Sequence, residues 1–218
     1  WMGDLSRETG LPVTFTALQS PVKAMSFDDQ MANMREQNAK GANILAQISM
    51  RGTGLILGWR TTFNPFSFKP SWAEVADLEE AAQLERLADP DFRHKLITEE
   101  SVYPDSDVQI LTELMATAFT MQYELSDGFD YEPSAQQSIA YLAEQAGVSG
   151  AEYAYDLLMS DGGRGFIYFP LLNYADGNLN FLEPVLLSDD CINSLSDGGA
   201  HCGTICDAAS PTFMLQHW

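Results

Sequence analysis

Pro12-Val13-Thr14-Phe15-Thr16-Ala17-Leu18, then Ser26-Phe27-Asp28-Asp29 opening a run that closes at Lys40-Gly41, then Asn43-Ile44-Leu45-Ala46-Gln47-Ile48-Ser49: this succession decides the fold. The first segment is β-branched and aromatic and follows a glycine, as a buried strand does. Ser26 supplies an N-cap, Phe27, Met31 and Met34 recur at i, i+4 and i+7, and Gly41 ends the pattern, so a helix is predicted over 26–40. The second apolar segment shows no polar alternation, which predicts a strand covered on both faces. The same rhythm returns downstream. Ser149-Gly150-Ala151-Glu152 is a capping box, Ala151, Ala154, Tyr155 and Leu158 share a helical face, and Gly162-Gly163 closes the element. A third strand follows at Gly165–Phe169, then a helix over 178–187 perturbed by Pro184, then a fourth strand at Cys191–Leu195.

Strands alternating with helices imply parallel pairing through right-handed crossovers, in an open doubly wound sheet or in a (β/α)8 barrel. Neither G-x-G-x-x-G nor G-x-x-x-x-G-K-[ST] occurs, so the loops that usually cradle phosphates in nucleotide-binding sheets are missing. The expected fold is α/β: the late strands of a (β/α)8 TIM-like barrel, interrupted by a long helical insertion. The sequence divides into a barrel βαβ segment over 1–50, an insertion over 51–133 that would lie above the barrel mouth, and a second barrel segment over 134–218. Within the insertion, Ser71-Trp72-Ala73-Glu74 reads as another capping box, Asp89-Pro90 starts a short helix carrying Phe92, Leu96 and Ile97, and Val108–Tyr123 is a further amphipathic candidate. Asn64–Pro70 reads as a turn-rich link. Trp1-Met2 and Ser210–Trp218 both read as elements taken in midcourse, and four strands do not close a barrel. The expectation is a piece of a longer protein, with the rest of the parent chain as its first partner.

The 218 residues carry 11 basic and 31 acidic side chains, a formal charge of −20. A nucleic-acid binder acting through a basic surface is thereby excluded, because phosphate contact needs Lys and Arg to displace counterions. Hydrophobic residues at 45% and aromatics at 11% are enough for a sizeable core. The longest apolar runs, such as Gly54–Trp59, fall far short of the roughly 20 residues a membrane-spanning helix needs. Cys191, Cys202 and Cys206 are odd in number and clustered, which argues against a disulfide framework and predicts a reducing, cytoplasmic setting.

The chemistry-bearing segment is Leu195-Ser196-Asp197-Gly198-Gly199-Ala200-His201-Cys202-Gly203-Thr204-Ile205-Cys206-Asp207, directly after the fourth strand. An acid at the carboxyl end of a barrel strand faces the catalytic mouth, and the two glycines leave room for backbone or substrate. Asp-Gly is equally a common turn dipeptide, so on spacing alone Asp197 reads as well as a turn former.

This segment, running on through Pro211-Thr212 to His217-Trp218, resembles the eighth-strand motif of the N-acyl-D-amino-acid deacylases, or D-aminoacylases, of the amidohydrolase superfamily. Leu5–Phe15, Ala46-Gln47-Ile48 with Arg51, and Asn173-Tyr174 are similar to further stretches of that family. The resemblance implies a zinc-dependent amidohydrolase acting on N-acyl amino acids, in which Asp197 is the proton-transfer carboxylate and a metal contact. Only His94, His201 and His217 are present and none ends the first or second strand, so the remaining zinc ligands are expected in the missing N-terminal part. A substrate carboxylate calls for a bidentate cation, and Arg51, just beyond the second strand, is the candidate, with Asn173 and His201 as further substrate contacts. Cys202 and Cys206 have a tolerable ligand spacing but read more simply as small loop residues. The alternative function is a non-catalytic barrel homologue or small-molecule-binding protein that has lost the metal. A glycosidase ranks last, since Asp197 has no paired carboxylate at a strand end.

Overall fold

The computed structural model describes residues 1–21, 26–105, 109–194, 203–204 and 208–218. They form a mixed α/β chain with two small sheets, divided into two units: Trp1–Leu55 with Pro170–Trp218, and Ile56–Phe169.

In the first unit, helix α1 (Met2–Thr9) ends on Gly10, whose φ of 69° suits a residue without a Cβ and whose N–H bonds to the Ser6 carbonyl. Strand β1 (Val13–Thr16), helix α2 (Phe27–Ala39) and strand β2 (Ile44–Ser49) then form the predicted βαβ unit. The Ser26 hydroxyl caps α2 by accepting from the Asp29 N–H, and Met31 and Met34 are the buried stripe. Asn38 joins helix to strand: its amide donates to the Ile44 carbonyl and accepts from the Ile44 N–H, both at 2.8 Å. Strand β6 (Cys191–Ser194) lies on the other side of β2, giving the order β1-β2-β6 with both pairings parallel. Val13 registers with Ile44, Ala46 with Cys191, and Ser49 with Ser194.

That order never reverses, and crossovers of a single hand between strands laid down in one direction fall on one face of the sheet. The core agrees. Phe27 at the start of α2 meets Phe181, which directly precedes helix α8 (Leu182–Leu186), edge to face at 5.7 Å. β2 is more deeply buried on one side: Ile44, Ala46 and Ile48 are buried, whereas on the other Leu45 and Gln47 are partly exposed and Ser49 is buried. The expectation that this strand is covered on both faces holds at Ser49 and gives way at Leu45 and Gln47, which keep part of their surface. The helix expected over 178–187 shortens to α8, with Pro184 tolerated in its first turn. Helix α9 (Ser210–His217) opens at Ser210-Pro211 as read, and the Trp218 indole N–H following it donates to the Met50 carbonyl at 2.8 Å.

The strand expected third in the parallel series, β5 (Ile167–Leu172), instead belongs to the second sheet, of order β3-β5-β4. Strand β3 (Thr53–Leu57) had read only as an apolar run, and β4 (Tyr123–Glu124) pairs antiparallel with β5 through Tyr123–Tyr168 and Glu124–Ile167.

The second unit contains α3 (Glu80–Leu87), α4 (Pro90–Thr98), α5 (Gln109–Thr117), α6 (Ile139–Ala146) and α7 (Gly150–Gly163). It runs on to Phe169 rather than stopping near 133, because Tyr155 of α7 packs into the aromatic cluster of Trp59, Phe66 and Trp72, with ring centroids 5.1 to 5.6 Å apart. The Tyr155 hydroxyl donates to the Leu87 carbonyl at 2.6 Å, and Arg93 forks onto the Asp156 carboxylate at 2.9 and 3.0 Å. The Ser149–Glu152 capping box forms in both directions, and Asp89 caps α4 through the N–H groups of Asp91 and Phe92. Ser71 behaves differently. Pro70 starts a 3₁₀ turn there, and the Ser71 N–H and hydroxyl both donate to the Glu99 carboxylate at 2.8 Å, while Glu74 pairs with Lys95 at 2.7 Å.

Tyr155→Phe should lower stability by about 1–2 kcal/mol, leaving the Leu87 carbonyl unpaired in the core; urea unfolding should show a lower midpoint at an unchanged slope. Backbone N–H groups of Phe92 and Asp91 hold the Asp89 carboxyl below its usual range, and the Ser149 N–H and hydroxyl do the same for Glu152. Folded values below the unfolded ones mean stability is intact above about pH 4.5 and is lost as pH falls through the depressed values. Thermal midpoints should therefore be level from neutrality to about pH 5 and fall below about pH 4, and Glu152→Gln should flatten that acid limb.

Candidate functional site at the carboxyl edge of the parallel sheet

Three parallel strands place their carboxyl ends along one edge, the edge at which α/β sheets bind ligands. Register puts Ser194, the last residue of β6, beside Ser49, the last of β2 and two residues before Arg51. Asp197 and His201, with Cys202 and Cys206, lie outside the described residues.

Arg51 is fully buried, with its Nη1 donating to the Gly52 carbonyl at 3.0 Å; the Ser49 hydroxyl donates to the Arg51 carbonyl at 3.1 Å. Arginine stays charged in any protein setting, and a buried charge is costly unless its hydrogen-bonding capacity is met. The Nη1 bond to the Gly52 carbonyl is one of the contacts that hold the guanidinium at the turn after β2.

Asn173, expected as a substrate contact, is 1% exposed and has a left-handed φ of 59°. Its Oδ1 accepts from the Gln19 N–H and its own N–H donates to the Gln19 carbonyl, both at 2.8 Å. The Gln19 side chain completes the clamp, donating to the Asp176 carboxylate at 2.7 Å and accepting from the Ala175 N–H at 3.1 Å. Asn173 therefore ties the turn after β1 to the turn after β5. The Asn173 Nδ2 is buried with no hydrogen-bond partner among the described residues.

A row of polar side chains that the sequence had not singled out crosses the open face of the sheet. The Gln47 amide donates to the Thr14 hydroxyl at 2.9 Å and accepts from the Ser194 hydroxyl at 3.2 Å. The one signal for it was Gln47 itself, the single polar residue between Ile44 and Ile48.

The fit of a metal can be judged on the donors in view. Among the described residues no group of three or more His, Cys, Asp and Glu side chains is placed to hold a metal ion. Burial, reinforced by the neighbouring Asp190 carboxylate, pushes the Cys191 thiol up, away from the thiolate a metal would need. The His217 ring stacks on Phe213 with centroids 4.6 Å apart. These described residues do not fit a zinc site.

Comparison with protein-family models, with curated proteins and with solved structures finds no match to this chain.

Asn173→Gly and Asn173→Ala both remove the bond to the Gln19 N–H, but only alanine keeps a Cβ in the left-handed region. Asn173→Ala should accordingly be the less stable of the two by about 1 kcal/mol, read from urea midpoints of the two variants.

Proposed function

We propose that this chain is part of an amidohydrolase that cleaves the amide bond of N-acyl amino acids, the N-acyl-D-amino acids in particular, in a (β/α)8 barrel of which β1, β2 and β6 are an arc. One observation carries the reading: in a parallel sheet wound in one direction, β6 ends at Ser194 beside the last residue of β2, and the Leu195–His201 segment follows it in the sequence. The resemblance of that segment to the D-aminoacylase eighth-strand motif supplies the chemistry. Asp197 takes a proton from the attacking water as its oxygen bonds to the acyl carbon, then delivers that proton to the nitrogen as the carbon–nitrogen bond breaks, leaving a carboxylic acid and a free amine. Zinc is the metal this reading calls for. Its donors beyond Asp197 are not among the described residues, so the chemistry assigned to this chain is the proton transfer alone. His201 is a substrate contact in this reading. Arg51 and Asn173 are the further substrate contacts in this reading, set at the turns that shape the edge. A cytoplasmic setting accompanies the proposal, and no helix among the described residues is long and apolar enough to cross a membrane.

The internal engagement of Arg51 and Asn173 favours a second reading, a homologue that keeps the scaffold for binding without hydrolysis. Metal analysis and an assay of N-acetyl-D-amino acids against their L-enantiomers, on the protein and on its full-length parent, separate the two. Asp197→Asn should lower turnover by about 100-fold or more with metal content measured in parallel. Unchanged turnover in that variant removes Asp197 from the mechanism, and no hydrolysis of either enantiomer by the metal-loaded parent leaves the binding reading.

A further inference from the structure

On the helical face of the first unit, α2 and α8 flank a cavity of about 770 Å³, a size typical of small-molecule sites. Phe27, Met31, Phe181 and Val185 wall it, and the Phe27 and Phe181 rings meet edge to face. Arg35 reaches one end but is spent on Asp190, Nε to Oδ2 at 2.8 Å, so that end carries no net charge. Asp28 and Asp176 line the cavity as well. Among the described residues neither carboxylate has an ion-pair partner; both residues are exposed, and the Asp176 carboxylate accepts from the neutral Gln19 amide. The Asp176 side is held in place, because Gln19 is fixed from three sides: by Asn173 through its backbone and by Ala175 and Asp176 through its side chain. Aromatic faces and unneutralised carboxylates around one apolar cavity select for positive charge on a hydrocarbon body, since ring quadrupoles and carboxylates both attract a cation while the walls take up its apolar part.

We propose that this cavity binds a small organic cation, an ammonium group on an aliphatic or aromatic body, with Asp28 and Asp176 facing the charge and Phe27 and Phe181 the body. The cavity takes Gln19 and Asp176 from turns at the sheet edge, and the groups proposed to meet the cation do not include Asp197. Its partner is opposite in charge to the carboxylate of an N-acyl amino acid, so binding here and hydrolysis there can fail independently.

The test titrates benzylammonium chloride into the 218-residue protein by calorimetry at low ionic strength, with benzyl alcohol and benzoate as neutral and anionic matches of shape. Benzylammonium should saturate in the millimolar range and bind more weakly as salt is added, while the other two give no saturable heat. Asp28→Asn, a change at an exposed side chain, should weaken binding about two- to fivefold, and Asp176→Asn by a similar factor. Phe181→Ala should weaken it further. Glu85→Gln, an exposed acid of the second unit, should leave it unchanged. The proposal is overturned if benzyl alcohol binds as well as benzylammonium, if Asp28→Asn and Asp176→Asn both leave affinity unaltered, if Glu85→Gln is as damaging as Asp28→Asn, or if no saturable binding is seen.

Discussion

The layout of the first unit depends on the handedness of strand connections. L-amino acids twist strands one way, and a chain that returns to lay a parallel strand alongside the last one crosses the sheet on a preferred side. Because β1, β2 and β6 are added in one direction, that preference collects α2 and α8 on a single face and sends the three carboxyl ends to a single edge. A sheet whose order reversed would spread its helices over both faces and would place a ligand at the reversal. The polar row of Thr14, Gln47 and Ser194 is what the uncovered face looks like when its side chains satisfy one another across the strands.

The large negative charge is handled locally. Several acids have specific structural tasks: Asp89 and Glu152 close helix starts, Glu99 receives both donors of Ser71, and Glu74 meets two cations from α3 and α4. Exposed ion pairs of this kind contribute little each, whereas a capping carboxylate satisfies N–H groups that have no partner within the helix. The acidic composition is thus compatible with ordered helices because the acids at helix starts lie where the helix dipole favours them.

Legibility in the sequence followed the distance over which each interaction acts. Ser149 with Glu152, Asp89 before Pro90 and Ser26 with Asp29 are complete within four residues, and each element began as read. Ser71 with Glu74 has the same spacing and failed, because Glu99, 28 residues away, offers Ser71 a better acceptor and Pro70 sets a tighter turn. Glycines at 54 and 58 interrupt the apolar run that became β3, and β4 is too short to leave a periodic trace. The edge of the sheet was legible as a place at the ends of β1, β2 and β6, but the partners of its residues were not. Asn173 was recognised as polar and well placed, yet its partner Gln19 is 154 residues away, and nothing local announces that its side chain faces inward. Tyr155 gave a helical face without saying which core that face would join.

The reciprocal bonds between Gln19 and Asn173 have a mechanical consequence. Two turns from distant parts of the chain, one after β1 and one after β5, are joined by a donor and an acceptor at each end, so neither can swing without breaking both links. They possess one degree of freedom between them rather than two. Any opening of this corner is a concerted event, and a force applied at Asp176 is felt at Gln19 without passing through the sheet.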